Sequence, residues 1–583
     1  MISYKEIRET LIRYKLLKYS VKACSLFFNK IETDSRSINE NDVFVCISGF
    51  SVDGHEFAEK AILNGAKLLI VERELKTDIA QFVVRNSRKA TSVLAKLFFD
   101  DPTSKIVLVG ITGTNGKTTT THIIEHVLLQ NNIKVGVIGT LGYFINGKKY
   151  ESALTTPDII DLNKIFVRMI SEKVHYIIME VSSHSIALDR IYELNFKAGI
   201  LTNITHDHLD FHHNFEKYVQ RKFLLFEITA KNHGLVFLNL DDKSGRDVYR
   251  HLDCEKFGIS SKKGDIQIRN CTLNSNWSSF ELQHENVNEH YKTNLTGKFN
   301  VYNLSLAISL IKKLIPELSS EKIKESVRTF KSVPGRLEKI GNVKNLQVYL
   351  DYAHTPNALE NVLQTLSEIK SGRLICLFGA GGNRDKTKRS KLLETSLKLA
   401  DLTIITTDNP RFEEPSDIIR DITNNADPFD PFWIIRDRQA AIRTGLSLLK
   451  ENDILLIAGK GHETYQEIKG KKFHYSDKEE VIEYFKNSDK TDNDLSIPID
   501  PLNLEILFQQ RIENDSLLIS VSTDSRTIQN NSLFFALSGD NFDGHKFVPN
   551  VLSKENCMAV VDKKHNFSGE NVTIVENTFE AYS

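Results

Sequence analysis

The sequence has no run of about 18 consecutive apolar residues, which excludes a membrane-spanning helix. Its start, MISYKEIRETLIRYKLL, lacks the uninterrupted apolar stretch of a secretory leader, so a cytoplasmic protein without membrane insertion is expected. An excess of one charge is missing too. The 75 basic and 76 acidic residues leave a net charge of -1, so no whole-protein field would attract nucleic acid or an anionic membrane. Any anionic ligand must be held locally. The six cysteines (Cys24, Cys46, Cys254, Cys271, Cys376, Cys557) show no CxxC spacing, which argues against a disulfide framework or a zinc site and favours buried thiols in a reducing compartment.

At 583 residues the chain exceeds what one hydrophobic core supports and should divide into several domains. A long-period repeat marks part of that division. TDSRSINENDVFVCISGFSVDGHEF (33 to 57) returns as TDSRTIQNNSLFFALSGDNFDGHKF (523 to 547), with 13 of 25 positions identical and no gap. The offset is far too long for a solenoid, so it reads as two copies of one small domain. Between them NSDKTDNDLSIP (487 to 498) has the polar composition of an exposed linker. From about 105 to 485 strand-like apolar runs alternate with helix-length amphipathic segments, the pattern of an α/β fold with a parallel sheet covered by helices. Several runs end in reactive residues: Tyr176-Ile177-Ile178-Met179 in Glu180, Ile375-Cys376-Leu377-Phe378 in GAGGNRDK, Thr403-Ile404-Ile405 in TTDNPR, and Ile454-Leu455-Leu456-Ile457 in AGKGHE. Ligands bind at the carboxyl ends of such strands. Which strands are neighbours is not legible.

The densest signal is GITGTNGKTTT (110 to 120), preceded by Ile106-Val107-Leu108-Val109 and followed by Ile123, Ile124, Val127 and Leu128 at helical spacing. Strand, glycine turn and helix in succession predict a nucleotide site: Gly110, Gly113 and Gly116 permit close backbone approach, so amide N–H groups and the helix N-terminus can face an anion. Lys117 adds a cation, and Thr118 a hydroxyl suited to Mg²⁺. The strict GxxxxGK[ST] pattern fails at Ile111, and an ordinary glycine turn is the competing reading. Mg²⁺ binds few protein carboxylates; Glu180 is a candidate, as is a helix-capping or salt-bridged role for it. After Gly199-Ile200-Leu201 a cluster follows, with Asn203, His206, Asp207, His208, Asp210, His212 and His213. Any one of these histidines alone would read as a hydrogen-bonding side chain.

Taken in order, TGTNGKTTT, LTTPD (154 to 158), EVSSH (180 to 184), LTNITHDHLDFH (201 to 212), GKFNVYN (297 to 303), PGRLE (334 to 338), DYAHTP (351 to 356), GAGGNRDKTKR (379 to 389), DNPR (408 to 411) and AGKGHE (458 to 463) resemble the ATP-dependent Mur ligases of peptidoglycan synthesis. Folylpolyglutamate synthetases share single motifs, but would need a pterin site in place of the TDSR and DGH elements. The resemblance implies a three-domain fold: a UDP-substrate-binding domain (1–100), a central P-loop ATPase domain (101–333) and a C-terminal Rossmann-like domain receiving the amino acid (334–486), here followed by a linker (487–499) and an extra small α/β domain (500–583). It also implies a reaction. The substrate carboxylate attacks the γ-phosphate of ATP, and the resulting acyl phosphate is attacked by an amine to give an amide, ADP and phosphate. The motif set resembles the member that extends UDP-N-acetylmuramoyl-L-alanyl-D-glutamate by its third residue.

The site residues follow from the same resemblance. Lys117, Glu180, His208 and Lys222 are implied to be catalytic, with Thr118, Glu180, His208 and a carbamylated Lys222 around Mg²⁺. An unmodified ammonium at 222 would repel the cation, whereas the carbamate is an anion. ATP would be held by Gly113, Thr114, Asn115, Gly116, Lys117, Thr118 and Thr119, by Asn300 and Asn303, whose spacing of three puts them on one helical face, and by Arg336, Asp351 and His354 after domain closure. Ser35 and His55, within Asp53-Gly54-His55, match the uridine positions; Thr155, Thr156, Ser182 and Arg190 match those for the muramoyl peptide. Leu188 departs from the polar residue often found there. Arg384, Asp408, Asn409, Pro410, Arg411, Gly459 and Glu463 match the amino-acid positions. Arginine forks a carboxylate bidentately, so Arg411 points to meso-diaminopimelate rather than L-lysine, with Glu463 holding the distal ammonium. DNPR alone would read as a type I turn.

The last segment resembles the opening domain of the ligase that adds D-alanyl-D-alanine, and no second GKT loop follows it. A second ligase activity from this chain is therefore not expected; a truncated fusion, a fragment and a retained substrate-binding appendage all fit. A monomer is expected. The reading from another class is a nucleotide-binding scaffold without catalysis, against which Lys117, Glu180, His208, Lys222 and DNPR speak.

Overall fold

The computed structural model describes residues 1–49, 52–152, 154–205, 214–274, 277–340, 346–424, 426–487, 499–512, 516–539 and 542–582. The cluster from His206 to His213, which includes His208, and most of the expected linker lie outside the described residues. The chain forms two compact units, Met1–Lys331 and Ser332–Ser583.

The first unit begins with a small sheet in the order Leu17–Val21, Ala80–Val84, Ala66–Val71, Asp42–Val45, Ile31–Glu32, parallel except for its first strand. A second sheet runs in the order Lys148–Tyr150, Gly142–Ile145, Val135–Gly139, Tyr176–Glu180, Val107–Thr112, Phe196–Leu201, Leu235–Asn239, Lys256–Ser260, Ile266–Leu273, Ser278–His284, Val287–Thr293. Its middle is parallel, as the alternating pattern predicts, but both ends are antiparallel hairpins. Those end strands alternate buried residues with half-buried or exposed ones rather than running continuously apolar, as sheets with one solvated face do. The central strands bury Leu108, Ile177, Phe196 and Leu201 completely, each contributing about 1.5–3 kcal/mol relative to exposure.

The helix Lys117–Gln130 carries four consecutive threonines, a poor intrinsic helix start because β-branched side chains lose rotamer freedom. Packing overrides that preference. Thr118, Thr119, Thr120 and Thr121 are all buried, and Thr121 Oγ1 bonds back to Lys117 O at 2.9 Å.

The second unit holds a sheet in the order Glu338–Lys339, Gln347–Asp351, Ile454–Ala458, Leu374–Phe378, Leu402–Ile405, Phe432–Ile434, parallel beyond its first, antiparallel strand. A smaller sheet, Ser520–Ser522, Ser532–Phe535, Met558–Asp562, Val572–Val575, is entirely parallel. Offset by 490, it reproduces the four parallel strands of the first small sheet.

Candidate active site

In the first unit the reactive residues gather at the carboxyl ends of four adjacent parallel strands, Val135–Gly139, Tyr176–Glu180, Val107–Thr112 and Phe196–Leu201. Gly113 and Gly116 have φ of 151° and 85°. A Cβ at 113 would stand 1.9 Å from Thr202 Oγ1, and one at 116 would stand 2.4 Å from Asn303 Oδ1, so neither position admits another residue without rearrangement. Asn203 moulds the loop: its backbone O accepts the Thr114 N–H (2.8 Å), its Oδ1 accepts the Asn115 N–H (3.0 Å) and its Nδ2 donates to Asn115 O (3.1 Å). Lys117 Nζ donates to the carbonyls of Gly113 (2.8 Å) and Thr114 (2.9 Å). The loop thus sets a helix N-terminus and an ammonium at one place, the arrangement that receives phosphate.

Glu180 is completely buried. Its Oε2 accepts from Thr118 Oγ1 (3.1 Å) and Thr140 Oγ1 (2.9 Å), and its Oε1 from Thr140 N–H (3.0 Å). Hydrogen bonds to a charged group contribute about 1.5–3 kcal/mol each, enough together to offset much of the cost of burying a carboxylate. Gly139 makes room: a Cβ there would meet Glu180 Oε1 at 2.2 Å. A hydroxyl and a carboxylate oxygen side by side fit a hard cation. Lys222, also buried, reaches the same loop from the helix Phe215–Lys231, donating to Gly113 O (2.9 Å) and lying 4.8 Å from the centre of the Tyr218 ring.

Thr155 Oγ1 stands 3.4 Å from Thr140 Oγ1, Thr156 Oγ1 donates to Glu180 O (2.8 Å), and Ser182 N–H donates to Thr156 Oγ1 (3.2 Å). Arg190 adds a bond to Thr156 O (3.0 Å) and an ion pair with Asp158 (2.7 Å). These four peptide-side positions therefore adjoin Glu180. Asn300 and Asn303 share one face of the helix Lys298–Leu314, with Asn303 Nδ2 donating to Asn300 Oδ1 (3.2 Å). Ser35 borders a separate cavity of about 460 Å³, lined also by Asp34, Arg36, Phe44, Ile47 and Lys60. Beside it His55 is buried, its Nδ1 donating to Asp53 (2.6 Å) and its Nε2 accepting the Glu72 N–H (3.1 Å). The backbone N–H of His55, then Arg73, hold the Asp53 carboxyl below its ordinary value.

The second unit repeats the principle. The strands Gln347–Asp351, Ile454–Ala458, Leu374–Phe378 and Leu402–Ile405 are consecutive neighbours, and their carboxyl ends lead into Asp351–His354, Gly459–Glu463, Gly379–Arg384 and Thr406–Arg411. Asp351 accepts the N–H groups of Leu337 (2.6 Å) and Ala353 (2.7 Å); burial pushes its carboxyl up, against the pull of Arg336. Arg336 lies 4.6 Å from the centre of the Tyr352 ring, and His354 Nδ1 donates to Tyr352 O (2.8 Å). A Cβ on Gly381 would meet Arg411 Nη1 at 2.9 Å and Arg384 Cγ at 3.8 Å, so the two arginines converge there. Arg411, at φ 54°, is held by Gly382 O (2.8 Å) and Glu467 (3.2 Å). That positive φ rules out a type I turn with Pro410 at its second position, which would need a φ of about −90° at Arg411. Asn409 Nδ2 donates to Glu463 Oε2 (2.9 Å). Gly459, at φ 108°, leaves space for the Asp408 carboxylate, which a Cβ would meet at 2.8 Å.

Comparison with known proteins agrees with this geometry. Residues 111–311 match the Mur ligase middle domain, 335–461 the glutamate ligase domain of Mur ligases, and 28–97 and again 519–581 the domain described as Mur ligase family, catalytic domain. A UDP-N-acetylmuramoyl-L-alanyl-D-glutamate–2,6-diaminopimelate ligase of Clostridium acetobutylicum is 42% identical over 465 residues, covering 79% of this chain and 95% of that one. The chain belongs to the Mur ligase family. The ligase of the same description from Clostridioides difficile is 40% identical over 460 residues, covering 77% and 93%. A solved structure of such a 2,6-diaminopimelate ligase matches with a TM-score of 0.61 at 26% identity, over 84% of this chain and all of that one. The Thermotoga maritima MurF ligase solved with ADP, at 19% identity and a TM-score of 0.52 over 79% and 97%, shares the fold.

Two residues of this Mur ligase escape sequence reasoning, and a third enters it only as one of a cluster. Thr140 holds both oxygens of Glu180, Asn203 shapes the phosphate loop as described above, and Lys460 lies completely buried among Asp408, Asn409 and Glu463. Only Asn203 carried a signal, its place directly after a strand. Thr140 and Lys460 become visible once strand neighbours are known.

Proposed function

We propose that the chain joins meso-diaminopimelate to the D-glutamyl carboxylate of UDP-N-acetylmuramoyl-L-alanyl-D-glutamate, using ATP, in the cytoplasm and as a monomer. The observation that carries the choice of amino acid is Arg411 and Glu463 on neighbouring loops of one sheet, a guanidinium for a carboxylate and a carboxylate for an ammonium, opposite in sign to the distal end of diaminopimelate. The named substrates of the relatives support it.

A carboxylate attacking a triphosphate meets like-charge repulsion, so positioning and electrostatic compensation carry the catalysis. The loop Gly113–Thr119 would cradle the phosphates, with Lys117 swinging from the Gly113 and Thr114 carbonyls to the β- and γ-phosphates. Asn300 and Asn303 would line the adenine side, and Arg336, Asp351 and His354 would bind ATP as the family resemblance implies. Thr118 and Glu180 would hold Mg²⁺, with His208 and a carbamylated Lys222 serving the same region; the cation would screen phosphate charge. Ser35 and His55 would hold uridine, and Thr155, Thr156, Ser182 and Arg190 the peptide. The carboxylate oxygen bonds to the γ-phosphorus as the bond to ADP breaks. The neutral amine then bonds to the carbonyl carbon, phosphate leaves, and the nitrogen releases its proton. Arg384, Asp408, Asn409, Pro410, Arg411, Gly459 and Glu463 would orient the amine.

Phosphate release with UDP-N-acetylmuramoyl-L-alanyl-D-glutamate, ATP, Mg²⁺ and bicarbonate, comparing meso-diaminopimelate with L-lysine and identifying the product by mass, tests the reading. Tripeptide formed with diaminopimelate alone supports it. Preference for lysine would remove the role given to Arg411, and nucleotide binding without turnover would favour a non-catalytic scaffold.

A further inference from the structure

Lys460 presents a question of cost. Its side chain has no solvent exposure, and a buried ammonium is costly unless closely paired. Close pairing is available nearby: Arg438 and Asp477 form a buried bidentate pair at 2.7 Å. Lys460 instead lies 3.8 Å from Asp408 Oδ1 and 3.7 Å from Glu463 Oε2, with its hydrogen bond going to Asn409 Oδ1 at 3.2 Å. The positive φ of Gly459 and Gly461 on either side, 108° and 54°, turns the backbone so that this side chain points inward.

We propose that Lys460 is a positioning residue for the amino-acid substrate, keeping the Glu463 carboxylate ionised and oriented to receive the distal ammonium of a diamino acid. The inference rests on reading these loops as the amino-acid site. Orientation runs through Asn409. Its Oδ1 accepts from Lys460 and from the Glu467 N–H (2.9 Å), which fixes the amide so that Nδ2 faces Glu463 Oε2 at 2.9 Å. Glu463 Oε1 meets the Tyr352 hydroxyl at 3.5 Å, the outer limit of a hydrogen bond, and is the oxygen left for a ligand. Ionisation runs through charge. Burial pushes the Glu463 carboxyl up and Asp408 pushes it further, while Asn409, Lys460 and Arg411 pull it part of the way back, leaving it above its ordinary value. Burial lowers the lysine itself, against Asp408, Glu463 and Asp477, which raise it, and Arg438 lowers it further. Tyr352 and Tyr465 complete the surroundings. With Lys460 neutralised, two carboxyls share a buried pocket, Glu463 takes up a proton, and its attraction for an ammonium is lost.

The test is steady-state ligation by the full chain across about pH 6 to 9, comparing Lys460→Met, Lys460→Gln, Glu463→Gln and the Lys460→Gln/Glu463→Gln double variant. Glutamine can still donate to Asn409, so this variant carries the test if the methionine variant does not fold. Both lysine variants should raise the KM for diaminopimelate about tenfold or more with little change in kcat or in the KM for ATP. The acidic limb of the 1/KM profile should move to higher pH, and the double variant should lose no more than Glu463→Gln alone. An unshifted limb, additive losses, or a loss confined to kcat would overturn the proposal. If Glu463→Gln raises the KM and the lysine variants do not, the positioning role falls while the site reading stands; if the unaltered chain fails to ligate diaminopimelate, both fall.

Discussion

The two copies of the small parallel-sheet domain share one device and differ in what surrounds it. In the first, Asp53 accepts from the His55 ring at 2.6 Å and His55 Nε2 accepts the Glu72 N–H; in the second, Asp543, His545 and the Asp562 N–H repeat this at 2.9 and 3.0 Å. Because Nε2 accepts in both, the proton sits on Nδ1 in both. Asp543, His545 and His565 bring ligand atoms within 4.8 Å of one another, but that tautomer leaves His545 no lone pair for a cation. The remaining aspartate oxygen is where the copies part. Arg73 takes it at 2.6 Å in the first; in the second Lys563 turns to Glu576 and His565, stacked on His545 at 3.8 Å between ring centres, stands 3.5 Å away. A guanidinium is always charged, whereas an imidazole is not. The repeated motif thus preserves an internal scaffold, while the partner of its second aspartate oxygen differs.

Attachment differs as well. In the first copy the strand Leu17–Val21 pairs with the edge strand Ala80–Val84; in the second, the side-chain amide of Gln510 bonds to both backbone groups of Ile574. The helix Pro501–Phe508 then fastens the copy to the edge strand Phe432–Ile434. Asn503 pairs its amide with Ile434 N–H (2.9 Å) and O (2.8 Å), Asp500 meets Arg436 (2.8 Å), and Glu505 meets Arg420 (2.9 Å).

The sharpest test of this contrast is Lys117→Ala, which should cut phosphate release by about a thousandfold or more; substantial residual turnover would mean the second copy works with another phosphate site. Next, His55→Ala should raise the KM for the nucleotide-sugar peptide about a hundredfold, near 2.8 kcal/mol, while His545→Ala leaves it within about twofold; equal effects in initial-rate assays would erase the distinction. Asp500→Ala strips a buried carboxylate from Arg436 and should weaken the attachment by about 2 kcal/mol, read as faster hydrogen exchange at 432–436 and 500–508 with ligation unchanged. The smallest effect concerns acid. For Asp543, burial raises the carboxyl but the His545 N–H and ring and Ser538 outweigh it, giving a net lowering; Asp53 is lowered further. A lowered carboxyl contributes stability that is complete above its unfolded value near pH 4 and is lost as pH falls through the folded value. Hydrogen exchange between about pH 5 and 2 should therefore open 532–562 before 42–71, and His565→Arg should narrow the gap.

Much of the fold and part of the site were legible from local pattern. The strand-to-glycine-to-helix passage at 107–130 and the runs ending in Glu180, Thr406 and Gly459 stand where spacing put them. The antiparallel ends of the large sheet were not, because a turn of two to four residues between strands leaves no mark on the apolar content of the strands before it. The roles of Thr140 and Lys460 were hidden for a different reason: each acts on a residue brought near by pairing between strands, not by sequence spacing.

The residues alone determined which segments are strand or helix, which carry glycine where positive φ is needed, and that one domain occurs twice, since periodicity, backbone permissiveness and repetition are properties of neighbouring positions. Tertiary structure alone decided that Val135–Gly139 lies beside Tyr176–Glu180 and so delivers Thr140 to Glu180, that Gly459–Glu463 closes over Asp408 and Asn409, and that the second copy is fastened through Asn503. Strand order is set by burial and hydrogen bonding between segments tens of residues apart, and no local spacing encodes it.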